Sequence, residues 1–128
     1  LFMGFFGPSK EKVESAIEQN IKLALEVISQ EVGVNKLRKF KSSNPGVVYG
    51  FCYGVATHTW EDMHSKKPDS NAYGDMFNLV EQILGIDTFS GNDDYHRIGW
   101  NYQQGILWNK DYRWENLKVV TDKINNSN

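Results

Sequence analysis

The residue types best suited to chemistry crowd into "HTWEDMH", where His58, Glu61, Asp62 and His64 lie within seven positions. An imidazole oriented by a carboxylate is what a general base or a metal ligand requires, because the acid fixes the ring's tautomer. On a helix His58 faces Asp62 at i,i+4 and Glu61 faces His64 at i,i+3. His58, Glu61 and, from a later segment, His96 are therefore the candidates for acid–base catalysis. His58, Glu61 and His64 are the candidate metal ligands. The spacing departs from the zincin motif, which sets two histidines four apart with a glutamate beside the first. His58 and His64 are six apart and point about 120° away from each other on a helix. A shared metal would need a ligand from elsewhere, such as His96 or Asp94. The plainer reading, a helix end turning to solvent with a histidine bonded to its own acid, is preferred, and no cofactor is expected.

The second concentration is "NDDYHRIGWNYQQGILW" together with the adjoining residues to Trp114. Read as a helix, the quoted run puts Tyr95, Ile98, Tyr102 and Ile106 on one face and Trp100, Gln104, Leu107 and Trp108 on another. A helix with aromatics on two faces is either central or half exposed. In the exposed case Trp100, Trp108, Tyr112, Arg113 and Trp114 are the candidate partner-binding residues, since Trp, Tyr and Arg dominate interface energetics. In the other case they form the core of a small domain.

These residues need a scaffold, and the segment Asn44–Pro68 supplies its centre. Gly46, Gly50 and Gly54 recur every fourth residue among Val, Tyr and Phe. The run also carries the period-two alternation of a strand. Its ends favour a helix. Asn44-Pro45 reads as an N-cap followed by the preferred first helical residue, and Lys66-Lys67-Pro68 reads as a helix end. Interior glycines cost a helix about 1 kcal/mol each relative to alanine, and close approach of another backbone is the usual compensation. The three glycines are accordingly helix-contact candidates, with Gly99 and Gly105 as the positions that would meet them.

Around this helix the periodicity predicts others. Ser9 caps a helix whose apolar residues run from Val13 to Val32, and Gly33 ends it. Residues 34–41 form a short helix with a basic outer face at Lys36, Arg38, Lys39 and Lys41, either a solvated face or a phosphate site. Ser70 or Asn71 caps a helix ending at Gly85, and Ser90 caps the helix carrying Tyr95 and Tyr102. A last helix starts at Lys110 or Asp111, with Trp114, Leu117, Val120, Thr121 and Ile124 on its stripe. The fold class is all-α: one domain over residues 1–128, a bundle of four to five helices around a central glycine-rich helix at about residues 45–66. Residues 1–7 and 125–128 are expected to be flexible ends.

The totals agree with such a domain. The 128 residues are 40% hydrophobic and 23% charged, with a net charge of −2. That balance gives no footprint for nucleic acid or an anionic membrane. Cys52 is the sole cysteine, which rules out an intrachain disulfide and a cysteine-based zinc site, and reads as an inert core thiol. No apolar run reaches the roughly 20 residues a bilayer requires. The start "LFMGFFGPSK" lacks the cationic flank of a signal peptide, so a cytoplasmic location is expected. Neither a P-loop nor a Gly-x-Ser-x-Gly elbow occurs.

The expected function is a small soluble, non-enzymatic protein-binding domain that uses its aromatic, acidic C-terminal half. Two alternatives stand beside it. One is a small enzyme or metal-binding protein built on His58, Glu61, His64 and His96. The other is a homo-oligomer packed through the Gly46, Gly50 and Gly54 stripe.

Overall fold

A computed structural model describes residues 7–86 and 92–127, and these residues form six helices and no strand. The helices are α1 (Lys10–Val32), α2 (Val34–Ser43), α3 (Pro45–His64), α4 (Ser70–Leu84), α5 (Asp93–Trp108) and α6 (Lys110–Asn125). The expected count of four to five becomes six because the short helix expected at 34–41, which follows Gly33 directly and runs Val34–Ser43, is a full element of its own. Gly33 adopts φ 96°, which stops α1 and lets α2 begin without a linker. The predicted cap Ser90 and most of the expected flexible start lie outside the described residues.

Several helix ends are built as the sequence implies, and others use a neighbouring residue. The Ser9 side chain accepts a hydrogen bond from the Lys12 amide. Pro45 opens α3, yet the Asn44 side chain does not cap it and instead donates to Ser43 Oγ at 3.0 Å. The cap of α4 is Asp69, not Ser70 or Asn71; its carboxylate accepts from the Ala72 amide at 2.8 Å. Asn92 and Asn109 cap α5 and α6 in the same way. Gly85, in the left-handed region, ends α4, and Lys41 of α2 reaches across to donate to the Leu84 carbonyl. One member of the basic cluster thus caps a neighbouring helix.

Helix α3 lies at the centre. From Val47 to Thr59 every residue except Tyr53 is buried, and α1, α2, α4 and α5 all pack on it. A helix apolar all round must be enclosed on all sides. Val13, Ile17, Ile21, Ala24 and Ile28 of α1 close one side, and Met76, Val80 and Leu84 of α4 close another. Two tyrosine hydroxyls tie α3 to α4: Tyr49 donates to the Phe77 carbonyl at 2.9 Å and Tyr53 to the Tyr73 carbonyl at 3.2 Å.

The α3–α5 contact is the tightest. A Cβ on Gly54 would overlap the His96 carbonyl oxygen and lie 2.5 Å from the Trp100 amide nitrogen. A Cβ on Gly99 would overlap the Phe51 carbonyl oxygen, and one on Gly50 would lie 2.6 Å from the Asn92 carbonyl oxygen. The Gly46 carbonyl accepts from the Asn92 amide at 3.2 Å. The stripe is therefore covered by α5 of the same chain, which leaves a second copy no access to Gly50 or Gly54 in this fold. Gly105 belongs to a different contact, its absent Cβ making room for Arg113 of α6.

This packing sets two expected outcomes. Gly54→Ala should destabilise the fold by about 2 kcal/mol or more, because overpacking against rigid backbone outweighs the gain in helix propensity. Gly74→Ala, on α4 with open space around it, should stabilise by up to about 1 kcal/mol. Urea unfolding followed by circular dichroism separates the two, and equal effects would contradict the packing. Cys52 is fully buried, and burial pushes its thiol up to about 12. A thiol reagent at neutral pH should leave the folded chain untouched and label it fully once unfolded.

Candidate functional site

The close approach of α3 and α5 draws His58, Glu61, His96 and Trp100 into one seam. Glu61 Oε2 accepts from the Trp100 indole Nε1 at 2.8 Å. The His58 ring meets Trp100 edge-on, with centroids 4.9 Å apart. His96 stacks on Tyr53 at 5.0 Å, and its Nε2 lies 3.2 Å from Thr57 Oγ1. The Thr57 hydroxyl donates to the Gly54 carbonyl, so its single proton is already committed. His96 Nε2 must then carry the proton in that contact and donate to Thr57.

His64 does not join them. It bends back along its own helix, donates from Nδ1 to the Trp60 carbonyl at 2.8 Å, and stacks on the Trp60 ring at 3.7 Å. Neither of the local pairs implied by sequence forms, neither His58 with Asp62 nor Glu61 with His64. Glu61 turns to Trp100 and His64 to Trp60 instead. Among the described residues no three of His, Cys, Asp or Glu gather where they could hold a metal ion, so the candidate metal set His58, Glu61 and His64 is divided between two faces.

Burial dominates the electrostatics of the seam. It lowers the pKa of both His58 and His96, and the nearby carboxylates only partly oppose it, Asp62 and Glu61 for the first, Asp93 and Glu61 for the second. Both rings are thus held neutral near pH 7. The two surface hollows that adjoin between α1 and α4 do not reach His58, Glu61 or His96. A general base needs room for a substrate proton within hydrogen-bond reach. Across the seam the Glu61–Trp100 and His96–Thr57 contacts fasten α3 to α5.

The aromatic candidates separate as well. Trp100 is committed to Glu61 and His58. Arg113 is half-buried, with its guanidinium 5.5 Å from the centre of the Tyr102 ring, a cation–π contact inside the fold. The others face outward at the corner between α5 and α6. Trp108 is 79% exposed, Leu107 61% and Trp114 45%, with Tyr112 and Ile106 beside them in exposure. Trp114 is thereby removed from the buried stripe of α6, which keeps Leu117, Val120, Thr121 and Ile124. Leu107 and Ile106 were not among the partner-binding candidates. The signal that could have found them is Asn109, whose cap turns the chain and leaves the end of α5 uncovered.

Compared with models of known protein families, with curated proteins and with solved structures, the chain matches none.

The seam makes stability depend on pH. Because both folded-state values lie below the ordinary histidine value of about 6.5, the unfolded chain takes up protons first on acidification. Stability should be complete above that value and fall as pH drops below it, until the folded rings protonate too. Urea midpoints at pH 7.5 and pH 5 measure the loss, and His58→Gln should reduce the slope between them. A flat profile would show that the rings are not desolvated.

Proposed function

We propose that this chain is a non-enzymatic protein-binding domain whose contact surface is the α5–α6 corner. The observation that carries this reading is the exposure of Trp108 and Leu107 side by side, with Trp114 and Tyr112 on the next helix. Large apolar side chains exposed together mark interaction surfaces, since leaving them in water forgoes about 25 cal/mol for each Å² that a partner could cover. Trp and Tyr are also the residues that concentrate binding energy at interface centres. Two of the polar candidates also serve to hold α3 to α5, Glu61 through Trp100 and His96 through Thr57.

The corner is tied together at its base. Asn109 Oδ1 accepts from the amides of both Asp111 and Tyr112, and Gly105 sits against Arg113. The two helices therefore present the aromatics without a loop to order on binding, which keeps the entropic cost of association low.

The decisive comparison is affinity capture from the native cell with the unaltered chain and with Leu107→Ser/Trp108→Ser. The double variant removes exposed side chains only, so its helical circular dichroism should be unchanged while recovery of the captured protein falls about tenfold or more. Recovery of the same proteins in the same amounts would refute the corner as the contact surface.

A further inference from the structure

Away from that corner, α1 and α4 both pack on α3 but touch each other only briefly. The gap between them is a long surface groove made of two adjoining hollows of about 510 and 590 Å³ that share Glu14, Leu79 and Gln82. Its floor is closed by the buried Val13, Ile17 and Met76, and its accessible apolar surface comes from the half-buried Trp60 of α3 and Leu79 and Ile83 of α4. Its α1 wall carries a row of carboxylates, Glu11, Glu14 and Glu18, at i, i+3 and i+7. Asp75 stands on the α4 wall.

We infer that this groove receives a cationic amphipathic helix of a partner protein, with its apolar face on the groove lining and Lys or Arg residues against the carboxylate rim. Charge complementarity selects the occupant. The cations lining the groove are Lys10 and Lys22, and Lys22 is already paired with Glu18 at 2.9 Å. Glu11, Glu14 and Asp75 form no ion pair among the described residues. Like charges at helical spacing repel, and Lys10, four residues before Glu14, forms no ion pair with it. A ligand helix with cations flanking an apolar stripe at i, i+3, i+4 and i+7 meets both features at once. The stretch from Glu11 to Lys22 spans about 17 Å, or roughly three helical turns, which suits a short helix rather than a compact metabolite. This surface is independent of the α5–α6 corner, and either can fail without the other.

The test uses the full chain, labelled with ¹⁵N, and three synthetic peptides of about three to four turns. The first has leucine at i, i+3, i+4 and i+7 with lysine elsewhere. The second replaces every lysine by glutamate, and the third replaces every leucine by serine. Amide shifts with the Leu/Lys peptide should be confined to residues 10–22 and 71–83. Raising the salt should weaken binding, because the rim charges are exposed. Glu14→Lys/Asp75→Lys should reduce the affinity about tenfold or more, and Glu14→Gln/Asp75→Asn should reduce it by less. The inference is overturned if the Leu/Lys peptide does not bind, if its shifts centre on Trp108 or scatter, if either control peptide binds equally well, or if charge reversal leaves the affinity unchanged.

Discussion

The backbone contact between α3 and α5 is the constraint on which the rest of the molecule depends. At Gly54 and Gly99 each helix occupies the volume that a Cβ of the other would need. That approach brings many main-chain atoms into dispersion contact, individually weak and collectively substantial. It also positions what lies on either side. Trp100 reaches Glu61, and His96 reaches Thr57, only because the two backbones are so close. Helix α6 inherits its place from α5 through the second small-residue contact, Gly105 against Arg113.

The seam combines the residue types of an active site with the close packing of two helices. Histidine, glutamate, threonine and tryptophan are the residues a catalytic centre uses, and they are equally the residues that satisfy polar atoms where two helices press together. What distinguishes the two uses is vacancy. A catalytic group keeps an unmet hydrogen-bonding position for its substrate; here Trp100 Nε1 and the Thr57 hydroxyl are engaged within the fold, and the His58 ring is held by its edge-on contact with Trp100. Among the described residues Gln103 Oε1 is the one buried side-chain oxygen or nitrogen without a hydrogen-bond partner.

Much of the helical framework was legible because helices obey local rules. The apolar spacing of α1 and the glycines at 33 and 85 mark their elements without any knowledge of the tertiary fold. The Pro45 signal carried the harder choice, a helix against a strand for the glycine-rich run. The details that misled were those set by non-local competition. Asn44 has the right identity for a cap but spends its amide on Ser43, and Asp69 caps α4 one residue ahead of the polar pair that looked suited to it. Trp114 has the spacing of a buried residue on α6, yet the corner at Asn109 swings that first turn outward. The histidine–acid cluster could be located but not interpreted: Glu61 takes a non-local partner, Trp100 of α5, and His64 turns to the carbonyl and ring of Trp60 at i−4 in place of its neighbouring acid.

The enclosed position of α3 has a consequence for the chain as it is made. Its glycine-lined face is closed by a helix that lies far downstream in the sequence. At about 5–20 residues per second, α3 spends several seconds outside the ribosome as an apolar rod with its narrowest side uncovered. Helix α1, already made, can shield one flank, but only α5 fits the glycines. The feature that makes the finished molecule tight is thus also the one that makes its partly synthesised form dependent on not meeting another apolar helix first.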